Sequence, residues 1–263
     1  MLALLLAAAL SVPAPQHPLP QADVAAQLKA RWQGKTFYLR GFPASDRWRT
    51  DDRGRPLTPL PPESWTLAGI HVDNVRRKGS ELRIDGTRVF YTFDGDHHTW
   101  LATIAPDSER IEIDVASPVD LDALQSGLFL TSLSELSANV PDEWKPVLSG
   151  ASQDEILNMF IVAAGLDPNA PAAGAFPKKL NEVDPQYSDA ARQLRLQGIV
   201  EIAFSVGVNG TVTRAILLRP LGAGLDETAL AAVRAWRYEP TQETGAQLKP
   251  RVARAEMGFK APR

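Results

Sequence analysis

The densest group of chemically capable side chains is Asp94-Gly95-Asp96-His97-His98. Carboxylates and imidazoles are the donors that hold zinc or another divalent ion, so a metal-dependent hydrolase using Asp94–His98 is one reading. The run begins Asp-Gly between two strand-like segments, and that setting favours a solvated hairpin turn over a metal centre. His71 and Asp73 alternate onto one strand face and form a second candidate ligand pair, with a plain exposed face as the commoner meaning. Glu112 and Asp114 have ordinary strand spacing. No serine lies in a G-x-S-x-G setting, and Gly207-Val208-Asn209-Gly210 lacks the Lys-Ser/Thr of a phosphate loop. Arg76-Arg77-Lys78-Gly79 reads as a basic turn that aids solubility. The front-half aromatics Trp32, Phe37, Tyr38, Phe42, Trp48 and Trp65 could line a ligand groove but have the spacing of core residues. These patterns predict no catalytic residue, no bound metal and no cofactor.

Absence of cysteine excludes disulfides, thiolate catalysis, Cys-ligated zinc and iron–sulfur clusters. The chain of 263 residues has a net charge of −3, which says little about partners. Its distribution says more: thirteen basic against nine acidic residues from Lys178 onward, and fifteen against twenty-two before it. An acidic front on a mildly basic end suggests separate domains, and the basic residues do not cluster as nucleic-acid readers need.

The elements that would position these groups fall into two styles. Leu2–Leu10 is an apolar run followed by Ser11, Val12, Pro13 and Ala14. At about half of the roughly 20 residues that span a bilayer, it reads as the core of a secretory signal over residues 1–15. Asp23–Trp32 has helical spacing at Val24, Leu28 and Trp32, with Asp23 as N-cap. Strand signals follow over Lys35–Phe42, Arg47–Arg55, Trp65–Arg76, Trp100–Ile104 and Arg110–Val115. Leu82 and Ile84 suggest one short strand, and Val89, Tyr91 and Phe93 the next, with a turn at Asp85-Gly86. From Asp120 the period lengthens: Leu121, Leu124 and Leu128 fit one helical face, Trp144–Leu148 a short helix or turn, and Asp154–Gly165 a helix capped by Gly165. Residues 167–177 are a Pro/Ala/Gly linker.

The last third reads as strand, strand, helix, strand. Val200, Ile202, Phe204 and Val206 share one face of a strand over Ile199–Val206. Asn209-Gly210 supplies a tight turn into a second strand, Thr211–Arg219. A helix over Asp226–Arg237 carries Ala229, Val233 and Trp236 on one face, and Pro240 prevents its continuation. A final strand runs over Leu248–Phe259, with Ala253, Ala255, Met257 and Phe259 on one side.

Asp184-Pro185-Gln186-Tyr187, Ala190-Ala191-Arg192, Gly198, Asn209-Gly210-Thr211-Val212, Leu225-Asp226, Ala232-Val233, Trp236-Arg237-Tyr238-Glu239-Pro240, Gly245 and a strand ending at Phe259 together resemble the C-terminal domain of TonB-type energy transducers. The resemblance covers about 80 residues of the chain. Ser188 stands where the family usually has Pro, and Arg219-Pro220-Leu221-Gly222 replaces a Ser-Ser-Gly turn. Gly34–Phe42, Trp65-Thr66 and Val140–Lys145 are similar to a β-rich module found ahead of such domains, a likeness of architecture without assigned chemistry. The resemblance implies a periplasmic domain that grips an extended segment of an outer-membrane receptor by adding it as a strand. Full transducers also have an inner-membrane helix and a long Pro-rich spacer.

The expected fold is α+β: a signal at 1–15, a mainly antiparallel β-rich domain with helices at 21–166, a linker at 167–177, and a small β-β-α-β domain at 178–263. The expected function is that of an exported, periplasmic protein-interaction protein linked to outer-membrane transport. Its docking edge is assigned to Arg251, Val252, Ala253, Arg254, Ala255, Glu256 and Met257. The partner is a receptor segment or a second copy, giving a homodimer, with no nucleic acid and only indirect membrane association. The alternatives are an anchored TonB-type transducer with a truncated N-terminus, or the metal-dependent hydrolase.

Overall fold

The computed structural model describes residues 21–116, 120–169, 175–240 and 250–261. The expected signal at 1–15, the proline-rich residues 17–20, Gly245 and Leu248 lie outside them. The chain is mixed α+β, with a β-rich N-terminal region carrying helices and a small C-terminal α/β domain. Among the described residues no helix is long and apolar enough to cross a membrane.

The N-terminal region begins with α1 (Gln21–Trp32), whose Val24, Leu28 and Trp32 are buried at the expected helical spacing. The helix already includes Asp23 in its first turn, so that residue is not the cap. The strands β1 (Thr36–Leu39), β2 (Arg47–Thr50), β3 (Gly69–Lys78), β4 (Glu81–Asp94), β5 (Thr99–Thr103), β6 (Arg110–Val115) and β7 (Phe129–Leu130) form one sheet in the order β2-β6-β4-β3-β1-β7, with β5 also on β4. All pairs are antiparallel except β2 with β6. Helices α2 (Leu121–Leu128), α3 (Leu133–Asn139), α4 (Lys145–Leu148) and α5 (Gln153–Ala163) follow. Asp120 caps α2, and Ser152 with Glu155 forms a capping box on α5, satisfying amide groups that a helix start leaves free.

The turn expected at Asp85-Gly86 does not exist: both residues lie inside the 14-residue β4. Gly86 pairs with Val72 on one side and Ile111 on the other, and a Cβ there would come within 2.5 Å of Ile70 Cγ1. What reads as two strands is one strand whose buried face changes. Leu82 and Ile84 face a core made with Val24, Leu28, Trp32, Ile70 and Ile113. Val89 and Tyr91, on the opposite face, enter a second core with Trp65, Trp144 and much of the C-terminal domain.

The C-terminal domain contains β8 (Lys179–Asn181), α6 (Asp189–Leu194), β9 (Gly198–Val206), β10 (Val212–Arg219), α7 (Leu225–Ala235), β11 (Arg237–Tyr238) and β12 (Arg251–Phe259). A three-stranded antiparallel sheet runs β10-β9-β12, and β8 pairs with β11. Ser188 is itself useful: its Oγ accepts from Ala191 N at 3.0 Å and caps α6. Helix α7 stops at Ala235, short of the expected Arg237, because Trp236 turns extended (ψ 149°) and donates its indole N–H to Val183 O at 3.0 Å. Arg237 and Tyr238 then become a strand.

The three-stranded sheet is covered on both sides. Ala229, Leu230, Val233 and Trp236 pack on one face with Ile202 and Phe204. Ile156 and Phe160 of α5 pack on the other with Ala203, Leu218 and Val252. Arg214 Nη1 donates to Ala163 O at 2.8 Å, and Arg254 pairs with Asp154 at 3.2 Å, fastening α5 in place.

A second seam joins β4 to the loop before α7. Where β3 ends opposite Val89, Phe93 N bonds to Leu221 O at 3.0 Å and Ala223 N to Tyr91 O at 2.8 Å. Gly222 makes this approach possible: it has φ +91°, and a Cβ there would overlap the Tyr91 carbonyl oxygen. Asp226 accepts from the amides of Leu221 (2.8 Å) and Gly222 (2.6 Å), while Ser64 Oγ donates to Glu227 Oε1 at 2.6 Å. Burial raises both carboxyls, Asp226 to about 6 and Glu227 to about 8; the two amide donors favour charge on Asp226, so Glu227 is the one that keeps a proton.

Two outcomes are expected. Gly222→Ala should cost about 1–3 kcal/mol in denaturant unfolding, through left-handed strain and loss of the seam bonds; an unchanged midpoint would show that the seam is dispensable. Glu227 binds its proton in the folded state at pH values where the unfolded chain has released it. Its contribution to stability is therefore most favourable below the ordinary carboxyl range and declines as pH rises towards about 8. Between pH 6 and 8 the wild-type unfolding free energy should fall by up to about 1.4 kcal/mol per pH unit from this group, and Glu227→Gln should flatten that slope. An equal slope in the variant would place the proton elsewhere.

Candidate partner-binding edge

Strand β12 pairs with β9 along its full length, from Arg251 opposite Val206 to Phe259 opposite Gly198. Among the described residues no strand pairs with its other side. A strand in this position presents alternate backbone N–H and C=O groups to an incoming chain. The residues assigned to the edge from sequence, Arg251–Met257, all lie on it. Ala255 and Met257 point into the core shared with α7, Val252 packs towards α5, and Arg254 and Glu256 are exposed.

A cavity of about 390 Å³ lies along Ala253–Glu256. Trp236, Tyr238, Phe204 and Phe176 contribute aromatic surface to it, and Lys179 and Glu182 contribute charge. The aromatic rings brace one another: Phe204 meets Trp236 edge-on at 5.6 Å and stacks with Tyr238 at 6.0 Å, and Phe176 meets Tyr238 edge-on at 5.4 Å. Lys179 Nζ lies 3.8 Å from the centre of the Trp236 ring and 2.8 Å from Glu182 Oε1, so it is held by a cation–π contact and an ion pair together. Burial pushes the Tyr238 hydroxyl up to about 12, so it stays neutral near pH 7. The arrangement offers main-chain hydrogen bonds along one line and a groove for alternate side chains beside it.

Sequence reasoning placed the edge strand but missed this groove. Phe176 lies in the expected linker, Trp236 near the end of the expected helix and Tyr238 just beyond it. The available signal was a Phe before Pro177 closing a run of Ala and Gly, followed by Lys179.

The other candidates have structural roles. Asp94 Oδ1 accepts from the amides of Asp96 and His97, and Oδ2 is 2.8 Å from His97 Nδ1, which makes Asp94–His98 a hydrogen-bonded hairpin turn. Among the described residues no group of three or more His, Cys, Asp or Glu is placed to hold a metal ion. His71 Nδ1 is 3.1 Å from Thr36 Oγ1, while Asp73 accepts from Thr87 Oγ1 at 2.9 Å. The ladder shifts register between Val72 and Asn74, so simple alternation does not describe Asp73. Asp114 is bound by Arg83 and Lys78, which hold its carboxyl down at about 2, and Glu112 pairs with Arg83 and Arg47. Arg76 is paired with Asp85 at 2.8 Å, so the basic run is part of a salt-bridged strand surface.

Comparison with known proteins agrees with the C-terminal architecture. Residues 183–259 match the family model described as the Gram-negative bacterial TonB protein C-terminal. The Protein TonB of Escherichia coli (strain K12) is 37% identical over 65 residues, which are 24% of this chain and 27% of that protein. The match thus spans about a quarter of that relative's length. A solved structure titled as the TonB2 protein from Vibrio anguillarum aligns with 36% of this chain and 95% of its own, at 20% identity and a TM-score of 0.26. The match to residues 183–259 identifies the C-terminal part of this chain as a domain of the TonB C-terminal family.

Proposed function

We propose that this is an exported, periplasmic protein-interaction protein that binds an extended segment of a protein partner by adding it as a strand to the open side of β12. The edge residues are Arg251–Met257, and the partner is a segment of an outer-membrane receptor, which links the protein to outer-membrane transport. The observation that carries the reading is an edge strand that, among the described residues, pairs with another strand on one side, with an aromatic groove along Ala253–Glu256, in a domain of the TonB C-terminal family. Four to five main-chain hydrogen bonds contribute ~2–7 kcal/mol before ordering costs, which suits a transient complex. The groove adds side-chain contacts and a modest preference for apolar residues at alternate positions. The region at 21–166 acts as the platform, the segment at 167–177 as the connection, and 178–263 as the binding domain. Export rests on the apolar run near the start of the sequence; cell fractionation and N-terminal sequencing of the mature protein test it.

The binding reading is tested by titrating isotope-labelled full chain with synthetic peptides from the periplasmic segments of outer-membrane receptors. Amide shifts should concentrate on Arg251–Phe259 and on Phe176, Trp236 and Tyr238. Ala253 and Arg254 are neighbours, so the N–H of one faces β9 and that of the other faces the open side. Proline at the outward position should weaken peptide binding at least about tenfold with little change in stability, whereas proline at the inward position should destabilise the sheet. If both variants remain folded and bind as the parent does, β12 is not the docking edge. A concentration-dependent dimer in sedimentation, abolished by the outward proline, would assign the edge to a second copy of the chain instead.

A further inference from the structure

Ser64 and Glu227, 163 positions apart in the chain, meet where the β-rich region touches the start of α7. Ser64 precedes a single 3₁₀ turn, Trp65–Leu67, and caps it by accepting from Thr66 N at 3.1 Å. Its hydroxyl donates to Glu227 Oε1 at 2.6 Å. The Thr66 hydroxyl, 2.7 Å from that of Ser64, accepts from Gly224 N at 3.0 Å. Two hydroxyls of the β-rich region thus hold one amide and one carboxyl of the C-terminal domain.

Glu227 is ill suited to carry charge at this place. Its Oε2 is sealed from solvent and has no hydrogen-bond partner, so Ser64 is the side-chain donor to its carboxyl. The adjacent Asp226 accepts two amide hydrogens, from Leu221 and Gly222. The charges that act on Glu227 are both negative: Asp226 beside it on α7, and Glu143 on the segment before α4. Glu143 is itself paired with Arg234 of α7 at 2.9 Å. On the β-rich side, Glu63 is exposed, Arg88 is engaged with Asp46 at 2.6 Å, and burial keeps the Tyr91 hydroxyl of β4 neutral. A carboxylate at Glu227 would stand buried without a cation or a full set of donors, which is a costly state. The residue nevertheless lies at the margin of the seam. Glu227 and Ser64 are each half-buried, so a short outward movement of either brings the carboxyl to water.

We propose that the contact of Ser64 and Thr66 with the start of α7 is a pH-operated latch: with Glu227 neutral it fastens the β-rich region to the C-terminal domain, and ionisation of Glu227 opens it. The opening is local, because the other fastenings do not use this carboxyl. Helix α5 stays on the sheet through Ile156 and Phe160. Leu221–Ala223 stays on β4, with Asp226 bonded to the amides of Leu221 and Gly222 in both states. Burial, and then the neighbouring Asp226, raise Glu227 to about 8 in the closed latch, whereas in water it regains the ordinary carboxyl value. Closure is therefore most favoured below the ordinary carboxyl range. The closed-to-open ratio falls by up to about tenfold per pH unit as pH rises, and levels off above about 8.

The test is amide hydrogen exchange of the isotope-labelled full chain, followed by NMR between about pH 6 and 8. The Gly224 amide, bonded to Thr66, is the reporter. Base catalysis alone speeds exchange about tenfold per pH unit; the latch adds up to about tenfold more, so the Gly224 rate should climb towards about a hundredfold per unit. Gly224 should also exchange at least about tenfold faster than the amides of the central strand β9, which open with the whole domain. In Glu227→Gln, whose carboxamide stays neutral, the Gly224 slope should return to that of base catalysis. A parent slope no steeper than base catalysis, or an undiminished slope in folded Glu227→Gln, would overturn the latch. Gly224 exchange no faster than that of β9 would overturn it as well, in favour of global unfolding as the pH-dependent step. The two measurements on the parent chain decide the matter even if Glu227→Gln does not fold.

Discussion

The whole arrangement depends on β4 serving two cores. Its first half, between β3 and β6, buries Leu82 and Ile84 against α1 and α2. Its second half buries Val89 and Tyr91 on the other face, in a core that continues into the C-terminal domain. Strand alternation makes this change of side possible without a bend, because successive residues already point to opposite faces. Where β3 stops, Leu221–Ala223 takes up the backbone groups of Tyr91 and Phe93 that would otherwise be unpaired. A buried unpaired backbone group is costly, so the end of β3 and the docking of the loop are one constraint.

That constraint changes what the TonB-type domain offers. One face of its three-stranded sheet is covered by α7 and the other by α5, a helix supplied by the N-terminal region. With both faces buried, the backbone groups that this sheet leaves without a strand partner among the described residues are those on the outer sides of its edge strands, β10 and β12. The region ahead of the domain is therefore part of its architecture: it covers a face and braces the loop before α7.

Much of this was legible from particular residues. Val24, Leu28 and Trp32 read as one buried stripe and are one. Alternation from Val200 to Val206, the Asn209-Gly210 turn and the stripe on α7 placed the C-terminal elements to within a few residues. The misread positions share a cause. Gly86 reads as a turn because glycine is common in turns, yet it is there to admit the Ile70 side chain from β3, a residue sixteen positions away. Trp236 continues a helical pattern, yet leaves the helix because Val183 O waits for its indole N–H. The groove beside β12 was invisible for the same reason: Phe176, Lys179, Trp236 and Ala253–Glu256 meet only after folding.

By itself the sequence determined the element types, the family of the last domain and the strand that ends it, because these follow from local periodicity, turn chemistry and a motif order contained within about 80 residues. Tertiary structure alone decided that β4 is one strand, that α5 roofs the C-terminal sheet, and that Leu221–Ala223 docks on β4. Each of these depends on contacts between residues far apart in the chain, where burial and backbone hydrogen-bond satisfaction outweigh local preference.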